Sequence, residues 1–139
     1  MDYKIIGKYI KDLDFCIPNP KTFFLLSQNI SNYKINIDIN SNQVKSKIIE
    51  VLTTLNLTPV KEDFEKINTK IVYSALIELS DDIKDKKDIE KIILIDVPTK
   101  IYPELRKIFI FVFENSGFKQ VKINENVNFQ KLYDLKKIQ

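Results

Sequence analysis

Tyr33-Lys34-Ile35-Asn36-Ile37-Asp38-Ile39 sets the fold class, because Tyr33, Ile35, Ile37 and Ile39 alternate with polar residues. Successive side chains of a strand point to opposite faces, so a period of two makes one face apolar and the other wet. Downstream, the stretch from about Lys47 to Thr58 sets Ile49, Val51, Thr53, Leu55 and Leu57 on one side, with Ile48 and Leu52 partly on the other. That strand is expected to be partly buried on both faces. Pro59 to Asn68 is polar and reads as a hairpin connection; Thr69 to Leu79 then returns as a strand with Ile71, Val72, Tyr73, Leu76 and Ile77. Short links between such runs imply three or four antiparallel strands.

Upstream, Tyr3 to Phe15 carries Ile5, Ile6, Tyr9, Ile10, Leu13 and Phe15, a mainly extended pattern punctuated by Gly7. It stops at Pro18-Asn19-Pro20, where proline and the residue before it are pushed toward extended or turn geometry. An irregular crossover is expected there, followed by Phe23, Phe24, Leu25 and Leu26, four adjacent apolar residues that need a surface to cover. Beyond the strands, Asp81 to Asp88 is highly charged and reads as exposed, and helical periodicity follows. Ile89, Ile92 and Ile93 with Asp96 fit a short helix ending before Pro98, while Ile92 to Ile95 fits a strand equally well. Pro103 to Ser116 reads as the long helix, with proline in its first turn, Glu104 near its N-terminus and Gly117 just past its end. Asn128 then caps a helix whose apolar face is Phe129, Leu132, Tyr133 and Leu135, with Lys136 and Lys137 suited to its C-terminal dipole. Strands first and helices last make an α+β protein.

The 139 residues fit one domain, residues 1–139, and 44% apolar with 29% charged composition predicts a folded body. The net charge of +3 arises from 22 basic residues interspersed with 19 acidic ones, so clusters such as Lys84-Asp85-Lys86-Lys87 read as solvated faces and no nucleic-acid partner is expected. No apolar window approaches a spanning helix, and Met1-Asp2-Tyr3-Lys4 is followed by no long apolar run, so a soluble cytoplasmic protein without membrane insertion is expected.

Absent residue types narrow the chemistry. Without any histidine, the His-activated nucleophiles and most zinc sites are removed together. Two glycines, Gly7 and Gly117, are too few for a P-loop or a dinucleotide fingerprint. Asp12 with Asp14 and Asp81 with Asp82 read as strand-edge or turn residues, since no loop of oxygen ligands surrounds them. Cys16 is alone and is expected to be a small buried hydrophobe. No catalytic residue, no metal site and no cofactor is assigned.

One string carries more information than its composition. Tyr9-Ile10-Lys11-Asp12-Leu13-Asp14-Phe15-Cys16-Ile17-Pro18-Asn19-Pro20 resembles the opening of the SecB export-chaperone family, Tyr-x-Lys-Asp-Leu-Ser-Phe-Glu-x-Pro-Asn. Pro98 through Tyr102-Pro103 to Arg106 is similar to that family's helix start, Gly117-Phe118 falls at its Gly-Phe, and Val127-Asn128-Phe129 with Leu132-Tyr133 resembles its Val-Asn-Phe-x-x-Leu-Tyr. The resemblance implies a four-stranded antiparallel sheet with helices on one face, assembled as a homotetramer, a dimer of dimers. It implies an ATP-independent holdase that keeps precursor proteins unfolded in long apolar grooves and delivers them to the export motor SecA.

Carried over by position, Ile35, Ile37, Ile39 and Tyr133 become groove candidates, and Phe23, Phe24, Leu25 and Leu26 join them because their segment borders the family's groove. An exposed apolar groove binds what folded proteins hide, and extended backbone adds hydrogen bonds at strand edges. The family's acidic SecA-docking surface is matched by Asp12; its next glutamate is Cys16 here and its acidic third-strand position falls at Ala75. The family's Gly-Phe-Pro-Pro is Gly117-Phe118-Lys119-Gln120, its Cys-Pro is Val97-Pro98, and its acidic tail is missing. These departures leave room for a chaperone of the same build dedicated to another client, such as an antitoxin. A small-ligand-binding domain is the alternative from a different class.

Overall fold

The computed structural model describes residues 2–28, 33–60, 67–118, 123 and 126–138. Four strands, β1 (Tyr3–Cys16), β2 (Tyr33–Lys45), β3 (Ile48–Pro59) and β4 (Asn68–Leu79), form one antiparallel sheet in the order β1-β4-β3-β2. The alternating apolar stretch therefore lies on an edge strand, and β2 runs on past it to a turn at Ser46 and Lys47, where Lys47 takes φ 69°. Of the expected hairpin connection between β3 and β4, residues 61–66 lie outside the described residues.

β1 departs from strict alternation for a visible reason. Its register against β4 shifts between Ile5 and Gly7 and again between Ile10 and Asp12, leaving Ile6 and Lys11 as extra residues. Each extra residue exchanges the two faces of the strand beyond it. Tyr3, Ile5, Lys8, Ile10, Leu13 and Phe15 thereby share the helix side, opposite β4 residues that include Ala75 and Ile77, while Tyr9, Asp12, Asp14 and Cys16 face outward. Cys16 is consequently exposed rather than buried, as its lack of a covering layer on that side dictates.

Two sequence expectations about the connections are corrected. The crossover after β1 is not irregular: Pro20–Gln28 is a helix, α1, because Asn19 caps it by accepting from the Thr22 amide at 2.9 Å and Pro20 occupies the first position. The long helix does not begin at Pro103 either. A helical path starts at α2 (Lys86–Lys91), whose cap Asp85 accepts from the Lys87 amide, passes through a π-helical turn at Ile92–Asp96, and continues as α3 (Val97–Asn115) with Pro103 inside. Pro98 cannot donate to the Leu94 carbonyl, so the path widens instead of stopping: the Val97 amide bonds back to Ile92, and Thr99 Oγ1 donates to the Ile95 carbonyl at 2.6 Å. This settles Ile92–Ile95 as helical. The last helix, α4 (Phe129–Ile138), is capped as expected by Asn128, which accepts from the Lys131 amide at 3.0 Å; the side chains of Lys136 and Lys137 lie outside the described residues.

The core is where α3 crosses the sheet. Val97, Ile101, Leu105, Phe109 and Phe113 recur every four residues and are all buried, a stripe laid on Val51, Leu55, Ile71, Ala75 and Ile77 of β3 and β4. At its far end Phe113 is the hub of an aromatic cluster, edge-on to Phe15 at 4.9 Å and within 5.6 Å of Phe118, which in turn meets Phe23 at 5.0 Å. Arg106 donates from Nε to the Ile123 carbonyl at 3.1 Å.

Gly117 ends α3 at φ +103°, and a Cβ there would meet the Phe23 ring at 3.3 Å. Both the backbone conformation and the contact oppose a side chain, so Gly117→Ala is expected to lower stability by about 1–3 kcal/mol. Urea denaturation followed by circular dichroism measures this, and an unchanged midpoint contradicts it.

Candidate functional site

The helix layer does not reach across the whole sheet. On the β2 side, Ile37 and Ile39 of the edge strand, Leu94 of the π-helical turn, and Phe129, Leu132, Tyr133 and Leu135 of α4 enclose an open cavity of about 180 Å³. Its walls are mostly apolar, with the Tyr133 side chain among them. Phe129 and Tyr133 anchor α4, buried against the core with Phe129 edge-on to Tyr102 at 6.0 Å. Leu132 and Leu135 are 42% and 50% exposed on the same helix, so the groove presents aliphatic surface to solvent. A shallower depression shares Leu94 and continues the trough past Ser41, between Lys86 and Glu90. Burial, with the Glu90 carboxylate beside it, raises the Tyr133 hydroxyl above its ordinary pKa, so that hydroxyl stays protonated at neutral pH.

Of the candidates read from sequence, Ile37, Ile39 and Tyr133 are brought together here. Ile35 lies one step back on the same face of β2 and packs against the core. The α1 residues lie elsewhere and split by helical position: Leu26 is core, Phe23 closes on Gly117 and Phe118, Leu25 is half-buried and Phe24 is 62% exposed. Leu94 was missed because its apolar run fits helix and strand equally. Phe129, Leu132 and Leu135 were named as a helix face, yet periodicity alone does not say what a face meets.

The sheet's outer face, away from the helices, is polar and electrically paired. Lys4 meets Glu78 at 3.3 Å, Lys70 meets Asp12 at 3.7 Å, and Lys11 meets Glu50 at 3.0 Å. Asp12 is thus exposed but bridged. Ala75 is fully buried on the helix side and belongs to the core, not to this face; the outward neighbours on β4 are Ser74 and Leu76, neither acidic. Among the described residues, no group of three or more Cys, Asp or Glu side chains converges as a metal site.

Glu50 is the centre of that face. Only 7% exposed, it accepts hydrogen bonds from the Tyr9 hydroxyl, from Lys11 Nζ, and from Ser74 Oγ at 2.8 Å. These bonds, Tyr9 first, outweigh burial and hold its carboxyl at a pKa of about 2.

The site is an open apolar groove at the edge of a helix-backed antiparallel sheet, without a catalytic constellation among its lining residues. The sequence profile of the family described as "Preprotein translocase subunit SecB" matches residues 1–139. A Pelagibacter ubique protein carrying the SecB protein-export name is 42% identical over 95% of this chain and 94% of its own. The protein-export protein SecB of Anaplasma phagocytophilum is 24% identical over 94% and 90%. Among solved structures, a Mycobacterium tuberculosis SecB-like chaperone in complex with an antitoxin-derived ChAD peptide superposes with a TM-score of 0.66 at 9% identity, covering 91% of this chain and 88% of that one. The chain belongs to the SecB family and is a chaperone of protein export. No helix among the described residues is long and apolar enough to cross a membrane.

Because the Glu50 pKa is depressed in the folded state, its contribution is complete above the ordinary carboxylate range and is lost as pH falls toward about 2. Thermal midpoints measured from pH 5 to pH 2 are expected to fall more steeply for the native sequence than for Glu50→Gln. Parallel curves contradict this account of Glu50.

Proposed function

We propose that the groove between β2 and α4 is where this chaperone holds precursor proteins, gripping unfolded segments by their apolar side chains without ATP or any covalent step. One observation carries the reading: Leu132 and Leu135 stay exposed beside Ile37, Ile39 and Leu94, at the free edge of β2. Unfolded chain supplies both the apolar side chains for that trough and the backbone groups for the strand edge, and a folded protein supplies neither. Ile35 extends the apolar path along β2 beyond the cavity, and the exposed Phe24 is a separate apolar contact for clients, carried on the helix that Phe23, Leu25 and Leu26 fix. Nothing in this reading calls on a catalytic group or cofactor.

The proposed setting is the cytoplasm, with residues 1–139 acting as one SecB-like domain and with SecA as the receiving partner. Asp12 on the outer sheet face is the proposed SecA contact, and its bridge to Lys70 has to exchange for a SecA cation on docking. A homotetramer, a dimer of dimers, is supported by β1. It is an edge strand of 14 residues whose Ile10 and Leu13 stay exposed on the helix side, and α3 exposes Phe111 as well. Apolar surface on a long open edge pairs readily with its own copy about a two-fold axis. The export reading is favoured over a dedicated antitoxin client, because the 42% identical relative carries the export name whereas the antitoxin-peptide complex shares 9% identity.

Leu132→Asp with Leu135→Asp leaves the buried Phe129 and Tyr133 in place. The double variant is expected to weaken binding of a urea-unfolded secretory precursor at least about tenfold, the order of magnitude for desolvating one leucine. Fluorescence titration against unfolded and folded precursor reads this; full affinity in a folded variant, or equal binding of the folded precursor, overturns the assignment.

A further inference from the structure

The buried stripe of the helical path keeps a step of four residues from Val97 through Ile101, Leu105 and Phe109 to Phe113, but the step from Val97 back to buried Ile92 is five. A regular helix returns to the same face after three or four residues, so it would carry Ile93 and Leu94 on the sheet side before Val97. The π-helical turn at Ile92–Asp96 takes up one extra residue instead, as the bond from the Val97 amide to the Ile92 carbonyl records. Ile92 thereby keeps the sheet side at 3% exposure, and Ile93, Leu94 and Ile95 are left half-buried between two core positions.

The displaced residues make the floor of the trough. Leu94 lines both the cavity under α4 and the depression that continues it past Ser41, so it is the side chain at which the two meet. α4 packs chiefly on this same turn. The core does not call for the fifth residue, because without it Ile92 would fall in step with the rest of the stripe. Single π-helical turns inside α-helices are rare and are found most often where a function uses them.

We infer that the extra residue in the Ile92–Asp96 turn positions Leu94 for client binding, making it the contact that joins the two parts of the trough into one apolar floor. This rests on the reading of the trough as the client site.

Deleting Asp96, which is exposed and makes no side-chain cap bond, shortens the step to four. The deletion is combined with Pro98→Ala, since proline inside a regular helix lacks a donor and clashes one turn back. Leu94 then lies two residues from Ile92 and two from Val97, on the opposite side of the helix from the core. Thermal midpoints and fluorescence titrations with a urea-unfolded precursor are compared for the native protein, this shortened variant, Leu94→Ala, and Leu132→Asp with Leu135→Asp. The shortened variant is expected to keep the native midpoint yet bind about tenfold more weakly, the scale of one lost leucine contact. Leu94→Ala is expected to weaken binding about fivefold in the native background and to add nothing in the shortened one, where the side chain has already left the trough. A midpoint that falls together with affinity makes the turn merely structural and overturns the inference. Full affinity in the folded shortened variant, with the Leu132 and Leu135 variant impaired, overturns the positioning role alone. Should the shortened variant fail to fold, Leu94→Ala decides, because unchanged affinity there means that the turn places nothing a client touches. Full affinity in the Leu132 and Leu135 variant overturns the trough as the client site, and the positioning role with it.

Discussion

One helix cannot cover four strands. With side chains an α-helix is about 10 Å across and strands lie about 4.8 Å apart, so a single long helix shields about two of them. The stripe from Val97 to Phe113 settles α3 over β3 and β4, the two central strands. Both edges of the apolar face are left over, and the remaining features of the molecule are responses to that surplus.

On the β2 side the response is partial cover. α4 is pinned by Phe129 and Tyr133, but it stops short of closing on Ile37 and Ile39, and Leu94 is left at the floor of a trough. On the β1 side, two bulges and the carboxylates of Glu50 and Glu104 hold an edge whose exposed side chains serve no interior. A chain that needed only to be stable would cover or charge such edges. Leaving them apolar fits a chaperone, whose work is to offer apolar surface to chains that have not yet hidden their own.

Much of this was legible in the sequence, and the failures share a cause. Alternation at Tyr33–Ile39 and the doubly apolar β3 gave the sheet because period two is a local signal. The SecB-like strings fixed the family, as the comparisons show. The helical path through Pro98 and Pro103 was not legible, because proline is read as a stop and only a widened turn lets the chain continue. Pro18-Asn19-Pro20 reads as an irregular crossover, although Asn19-Pro20 is a cap followed by a first-turn proline of α1. For the groove, Ile37, Ile39 and Tyr133 were named, whereas Leu94, Leu132 and Leu135 become neighbours of them only through tertiary packing. The exposure of Cys16 and the inward position of Ala75 follow from strand register, which bulges in β1 and pairing to β3 set and composition does not reveal.

The most direct test is to map where an unfolded client lies. A secretory precursor carrying a photo-activatable crosslinker at successive apolar positions would be diluted from urea into the chaperone, and the crosslinked peptides identified by mass spectrometry. The account predicts crosslinks concentrated on β2 and α4, around Ile37, Leu132 and Leu135, and lost when the precursor is folded first. Crosslinks concentrated instead on the outer sheet face around Glu50 and Leu76, or retained with folded precursor, would contradict it.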